Sequence, residues 1–492
     1  MLVKSMNFKP KSFGIVVHED MNTPIVATMD WPFPQLIKGS SVTLLCYEDS
    51  IKSVNESTWA TTDISTYSIY QTGDLKNISA GGVWHFVDMG ESWLLFNGEC
   101  VVLNLASLRY MSTDPGNVVV MNDIVMKTGC LYKGRVILGG FDTGGFWNTD
   151  WDNFWAQYIS SKIASDVTEH REISQSTIWY SSIGGGDLAF VFYPDYAAKG
   201  YIDPDTGDAH SYTKPLFLDY WRRGQSGFLK MPFQGRVLVA KELGDYCIIY
   251  GTDGIAAVKH YTQPTPTLGL IRLPLSGEIG IPDRGFVGGD IRQHIFVDTK
   301  GVLWSIDANL NIKKLGYEEF FSPMLSDELV ITHNPDEDEY HICTDSVGYV
   351  LTNEGLGEIN QRPTSVIHSG GELQCMSVFG GESASILTVD WIDFGIRAMK
   401  RIENIQVGAS SLHNIQLSLE RRYDMSEELY TSEYIALNKL GIATLMKTGV
   451  DFRINLKAVP KLNTSIDTMD VRWKLQDKRF VRGAYVSQTS SE

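Results

Sequence analysis

The chain is short of cations. Of 492 residues, 42 are Lys or Arg against 59 Asp or Glu, a formal net charge of −17. A protein that grips a phosphate backbone needs clustered Lys and Arg, so tight binding of DNA or RNA is not expected. An acidic wall past which nucleic acid slides without sticking is compatible with this balance. Long apolar runs are missing as well. No window approaches the ~18 apolar residues of a spanning helix, so no membrane span is expected. The first twenty-one residues, MLVKSMNFKPKSFGIVVHEDM, carry basic residues but no apolar stretch of signal-peptide length, so export is not expected either. Cysteine is sparse and scattered, at Cys46, Cys100, Cys130, Cys247, Cys343 and Cys375, with no CxxC pair. Such spacing excludes a disulfide framework and suits reduced, buried thiols in a reducing cytoplasm. Without secretion, the sequons that begin at Asn55, Asn77 and Asn463 carry no meaning.

Recognisable chemistry is also lacking. There is no GxxxxGK[ST], no GxGxxG between strand and helix, no HExxH and no GxSxG elbow, and the ten histidines form no close pair along the chain. The expectation is therefore no catalytic residue, no cofactor and no metal site.

Aromatic residues (11%) and 45 glycines are present in quantity. Aromatics favour strands and glycine favours tight turns, which points to an all-β chain. At this length two or more domains are expected. Three segments read as copies of one hairpin: DYCIIYGTDGIAAVKH, RQHIFVDTKGVLWSID and DEYHICTDSVGYVLTN. Their turn glycines Gly254, Gly301 and Gly348 are 47 residues apart each time. Glycine supplies positive φ in a tight turn at no steric cost. A repeat of about 40–50 residues holding several short strands is the period of a β-propeller blade. Less regular relatives include SWLLFNGECVVLNL, STIWYSSIGGGDLAFVF and the strand LYKGRVILGGF, which extend the propeller back to about residue 40. Stacked sandwiches are the competing arrangement.

From Ile386 the texture changes. In NIQLSLERR, Ile415, Leu417 and Leu419 share one face, and in DFRINLKAV so do Phe452, Ile454 and Leu456. This period-two alternation predicts an antiparallel sandwich. The expected organisation is an N-terminal arm with first strands over 1–40, a propeller over 41–384 with an inserted loop and helix segment at about 141–176, a C-terminal β-sandwich over 385–480, and a flexible tail over 481–492.

Two stretches invite sharper readings. FDTGGFWNTDWDNFW sets Trp147, Trp151, Phe154 and Trp155 beside Asp142, Asp150 and Asp152. Aromatic faces with carboxylates can stack on and cleave sugars. The competing reading is a helix stripe at i, i+4, i+7, i+8, packed on the propeller or a neighbouring subunit as an aromatic interface patch. Asp203, Asp205 and Asp208 in DPDTGDAH could wrap a cation, but no 12-residue loop closed by Glu is present, and a surface turn is the plainer reading.

WIDFGIRAMKRIENIQVGASSLHNIQLSLERRYD, with Asp393, Phe394, Gly395, Lys400 and Arg401, resembles the junction in tail hub or nozzle proteins of short-tailed bacteriophages. GEIGIPDRGFVGGDIRQHIFVDTKGVLWSIDANLNIKKLG resembles that family's blade pattern. The resemblance covers roughly residues 230–478 and does not extend to the first 200 residues. It implies a virion tail component made in the bacterial host cytoplasm. It implies a homo-oligomeric, hexameric ring below the portal and adaptor, in contact with tail-tip or tail-fibre proteins. Such a ring retains packaged double-stranded DNA and conducts it during ejection, and it is not an enzyme. The module from residue 385 onward is expected to make the subunit contacts. Against this stand a glycan-binding or glycan-cleaving propeller and a general interaction propeller of a cellular complex.

Overall fold

The computed structural model describes residues 2–25 (without 13), 34–64 (without 41 and 47–49), 66–68, 75–77, 83–88, 92–96, 100–104, 109–111, 127–141, 175–180, 201–202, 209–210, 227–271 (without 264–266), 273, 278–379 and 385–476 (without 397, 414, 424–428 and 459–463). These residues are nearly all strand. Among them, helical geometry is confined to Arg284–Phe286, Glu318–Phe321 and Ser322–Met324. None of their helices is long and apolar enough to cross a membrane. The chain divides into two compact units, neither continuous in sequence: residues 23–333 with 364–376, and residues 1–22 with 334–363 and 377–492.

The larger unit is a β-propeller body, a succession of four-stranded antiparallel meanders. The first runs from Gln35–Lys38 to Thr61–Asp63 and the second from His85–Asp88 to Arg109–Met111. The third joins Thr128–Tyr132, Arg135–Gly139, Thr177–Tyr180 and Gly227–Lys230. The fourth runs from Val237–Leu243 to Thr267–Ile271 and the fifth from Val287–Gly289 to Ile312–Gly316. Apolar residues on both faces explain the stacking. Tyr132, Ile137 and Ile178 of the third meander share a buried cluster with Val237, Ile249 and Val258 of the fourth. Ile37, Leu44 and Ile51 of the first share one with Trp84, Trp93 and Leu95 at the second. The expected insertion falls between the second and third strands of the third meander, and residues 142–174 lie outside the described residues.

The three repeat hairpins and SWLLFNGECVVLNL form where expected, with two differences, while residues 181–192 of STIWYSSIGGGDLAFVF lie outside the described residues. LYKGRVILGGF is itself a hairpin. Tyr132 pairs with Arg135 across Lys133 and Gly134, whose φ of 48° and 72° suit a primed two-residue turn. Of the three repeat glycines, only Gly301 has positive φ, 82°. Gly348 instead opens a strand where a Cβ would sit 2.8 Å from Cγ of Arg362, so close approach, and not turn geometry, demands it. Short acidic side chains stabilise the turns by accepting backbone N–H bonds. Asp298 takes those of Lys300 and Val302 at 2.8 and 2.9 Å and also the indole N–H of Trp304 at 2.9 Å.

The last stretch of this unit returns to its first meander. Leu36 and Leu45 share a buried cluster with Ile367 and Met376, and the Leu36 N–H donates to Ser365 Oγ at 2.6 Å. Glu56 is the polar tie. Its carboxylate accepts from Lys38 Nζ at 2.7 Å, from Ser369 Oγ and from Thr43 Oγ1. These three bonds, Lys38 foremost, lower its pKa from 4.5 to about 2. A depressed carboxylate contributes stability that is present above its unfolded pKa and lost as pH falls through the folded one. Glu56→Gln is thus expected to flatten the acid limb of the stability curve between pH 4.5 and about 2, measured by denaturant unfolding at a series of pH values. An unchanged limb would refute the tie.

The smaller unit is a β-sandwich. One sheet sets Leu2–Met6, Ser385–Val389, Asp451–Ala458 and Ile415–Arg422 side by side, with the short strands Tyr430–Thr431 and Ile435–Ala436 at its edge. The other runs Phe8–Lys11, Gly14–Val17, Ser465–Leu475, Lys400–Ala409, Ile442–Gly449. Leu417 pairs with Leu456 and Leu419 with Ile454, and all four are buried, as the alternation predicts. The units differ from the linear division at residues 40 and 385 in two places. Phe8 and Val17 belong to this core, beside Ile402, Ile405 and Phe452. The third repeat hairpin also falls in this unit. Its sheet continues from Gly355–Ile359 into Leu2–Met6 by parallel pairing of Met6 with Glu358.

Candidate functional site

The residues of the junction build a structural corner. The peptide N–H of Ile396 donates to the carbonyl of Asp393 at 3.1 Å, closing a turn in which Phe394 and Gly395 have φ of 52° and 73°. Positive φ at a bulky residue costs of order 1 kcal/mol and persists only where packing enforces it. Here Phe394 stacks on Trp473 with ring centroids 5.0 Å apart and approaches Phe452 at 6.4 Å. Nothing lies within 4 Å of a Cβ built on Gly395, so its φ alone requires glycine. Lys400 is fully buried and donates to the carbonyls of Ile396 and of Ala398, the latter at 3.1 Å. Burial lowers its pKa. Asp393, Phe394, Gly395 and Lys400 therefore shape the chain, and Arg401 reaches Met446 Sδ at 3.3 Å. Lys400→Ala would take this donor from the Ala398 carbonyl and leave the Ile396 carbonyl with the Ala398 N–H at 3.0 Å, an expected loss of about 1–3 kcal/mol in denaturant unfolding.

What this corner presents is a surface. Trp391 lies between two guanidinium groups, Arg422 at 4.6 Å and Arg453 at 4.7 Å from its ring centroid. Each arginine is held by a carboxylate on the neighbouring strand, Arg422 Nε on Asp451 at 2.7 Å and Arg453 Nη1 near Glu420 at 3.5 Å. Period-two alternation sets Glu420, Arg422, Asp451 and Arg453 on one face, because Glu420 pairs with Arg453 and Arg422 with Asp451. At the strand end, Arg421 lies over Tyr423 at 5.3 Å and Tyr430 at 5.7 Å, and the two tyrosines meet edge to face. Lys457 lies over Tyr434 at 5.7 Å. Tyr423, Leu429, Tyr430 and Tyr434 are all exposed. Among the described residues of the patch, the carboxylates of Asp451 and Glu420 are paired with arginines. Exposed Tyr, Trp and Arg held in fixed geometry are what protein interfaces use.

A second feature lies in the propeller body. The first strands of the second, third and fourth meanders lie side by side. With Val287 of the fifth they line a cavity of about 230 Å³ that includes His85, Cys130, Lys241 and Glu242. Burial, then the nearby Arg284 and Lys241, drive the His85 pKa down to about 3. Burial and Lys241 do the same to His294. His294 is therefore neutral. Its Nε2–H donates to the Glu242 carbonyl at 3.0 Å and its Nδ1 accepts from the Tyr250 hydroxyl at 3.0 Å. Burial also lowers the pKa of Lys241.

Of the sequence candidates, Trp147, Trp151, Phe154 and Trp155 lie outside the described residues, as do Asp142, Asp150, Asp152, Asp203, Asp205 and Asp208. The arginine and tyrosine patch was missed. Its only sequence signal is the charge run ERRYD, whose partners on Asp451–Ala458 are assigned by strand register.

No known family model matches the chain, and no curated protein sequence does. Solved structures with partial likeness include the Pan2 WD40 domain of Neurospora crassa, 8% identical with TM-score 0.32 over 72% of this chain and 85% of that one. A quinonprotein alcohol dehydrogenase-like protein of Bacteroides thetaiotaomicron is 10% identical with TM-score 0.31 over 66% and 65%. PorZ of Porphyromonas gingivalis is 10% identical with TM-score 0.33 over 72% of this chain and 35% of that one. At these scores the likenesses carry no weight for activity, and the architecture rests on the chain's own strands.

Proposed function

We propose that the chain is a structural, non-enzymatic subunit of a bacteriophage tail, a nozzle or hub protein of short-tailed phages that assembles into a ring. In this reading the ring, a hexamer in the tails it resembles, continues the DNA channel below the portal and adaptor, retains the packaged genome and conducts it during ejection. The observation that carries the reading is the pair of arginine–aromatic clusters at the end of Ile415–Arg422, Arg422 over Trp391 and, from the alternate position, Arg421 over Tyr423 and Tyr430, on the module that resembles the tail family. The formal charge of −17 supports it, because an acidic lumen repels phosphate at short range and lets duplex DNA pass. A patch offered to the next copy's different surface makes a head-to-tail contact, which gives a ring where its rotation closes.

Electron microscopy of the purified protein, alone and with phage tails that lack it, tests this. Rings with a hole wide enough for duplex DNA are the expected result. Particles that stay monomeric in both conditions would overturn it.

A further inference from the structure

We propose that His18, Glu339 and His341 form a binding site for one zinc-type divalent ion, which ties the N-terminal segment to the strand Glu339–Cys343. Their ligand atoms all lie within 4.8 Å of one another. The three residues are 2%, 1% and 0% exposed. Two imidazoles and one carboxylate are a donor set that binds zinc and its first-row neighbours, at about 2.0–2.2 Å per ligand. Magnesium and calcium want more oxygens than these three residues offer.

The fold places the three residues before any ion arrives. Period two along Glu339–Cys343 puts Glu339 and His341 on one face of the strand. His18 directly follows Gly14–Val17, and its peptide N–H donates to the Asn7 carbonyl at 2.9 Å. Asn7 is fixed in turn. Its N–H donates to the Glu358 carbonyl at 2.7 Å, and its Oδ1 accepts from Asn360 N–H at 2.6 Å. The imidazoles of His18 and His341 meet edge to face, with centroids 5.5 Å apart. A tetrahedral ion would draw the ligand atoms to about 3.3–3.6 Å from one another, which rotation of buried side chains on a pinned backbone can supply.

Two ammonium groups compete for the carboxylate. Lys9 Nζ lies 2.9 Å from Glu339 Oε1, and Lys11 Nζ lies 2.6 Å from it. Lys11 has an alternative partner already in reach, Glu337 Oε2 at 3.2 Å. The Glu337 side chain is 54% exposed and able to follow it. The ion takes the oxygen that Lys11 releases. Lys9 also donates to Oε2 at 2.9 Å, and it stays there as the outer partner that orients the ligand. This competition gives the site a signature that a merely structural cluster lacks, because removing the Lys11 ammonium strengthens ion binding.

The test is zinc titration of the full chain after chelator treatment, by isothermal calorimetry with metal analysis, on the wild type and on His18→Gln, His341→Gln and Lys11→Met. The expected result is one zinc per chain, lost in both glutamine variants and bound about tenfold more tightly in Lys11→Met, which removes one competing charged hydrogen bond, with magnesium giving no heat in any of them. If a glutamine variant fails to fold, the wild type and Lys11→Met still decide. Wild-type protein that takes up no zinc overturns the site. So does an unchanged affinity in Lys11→Met, or a stoichiometry that folded glutamine variants keep.

Discussion

Replacing Phe8 by alanine is expected to destabilise the sandwich by about 3–5 kcal/mol, the usual cost of emptying a buried aromatic site. Phe8 is fully buried among residues that lie some 380 to 460 positions away along the chain, from Leu387 to Ile466. Its strand, Phe8–Lys11, is the outermost of its sheet, held by antiparallel pairing to Gly14–Val17. The second strand pairs Ile15 with Ile466, so both hang on the C-terminal strands. Denaturant unfolding followed by tryptophan fluorescence reads the loss, because Trp473 packs against the same core. Limited proteolysis should then cut the region 400–476 first. A variant that unfolds with wild-type stability would mean that the N-terminal strands add nothing to the sandwich. The same packing makes truncation at residue 385 a poor probe of assembly, since it removes the core that covers Phe8 and Val17.

The C-terminal strands were legible because each carries its own pattern. Ile415, Leu417 and Leu419 alternate with polar residues, as do Phe452 and Ile454, so burial of one face is written into each segment. The propeller hairpins were legible for a related reason, since a short polar turn between apolar runs has few other uses. The N-terminal strands were not. FKPK holds two lysines and a proline, and it reads as a solvated arm. Proline is tolerated because the strand is an edge. Lys9 and Lys11 are accommodated by Glu337 and Glu339, some 330 residues later, and no local pattern reports such a partner.

The histidines show the same limit from the other side. Spacing along the chain finds no pair, yet His18 and His341 meet across 323 residues. A trace existed in EYHIC, where Glu339 and His341 occupy alternate positions of a strand buried throughout. Polar residues on a buried face need partners, and that rule, applied to an apolar run such as this one, singles out Glu339 and His341 by residue type and position. In the junction the sequence marked the right residues for a different job. Asp393, Phe394, Gly395 and Lys400 are read as a family passage, and they act by fixing a turn. The contact surface lies beside them, on strands whose register brings Arg422 and Arg453 to Trp391.

Exchanging Leu429 and Tyr430 together for aspartate is expected to dissociate the proposed ring while the fold stays intact. Both side chains are exposed, at 54% and 41%, so their loss removes little buried area within the chain, and surface substitutions of this kind change stability by about 0.5 kcal/mol or less. Tyr430 lies against Arg421 and Tyr423, and Leu429 is the exposed residue next to it. Truncating a hot-spot residue costs about 2 kcal/mol or more, so two of them weaken association by roughly a thousandfold. The new carboxylates add a desolvation penalty against any apolar partner surface. Ile291→Asp, at an exposed residue of the other unit, serves as the control and should leave assembly unchanged. Sedimentation velocity reads the oligomer and thermal unfolding reads the fold. Rings that survive the double exchange at the same concentration would place the subunit contact elsewhere. Rings lost together with the melting transition would show only that the substitutions unfold the sandwich, and the single Tyr430→Ala variant, which adds no charge, would then decide between the two.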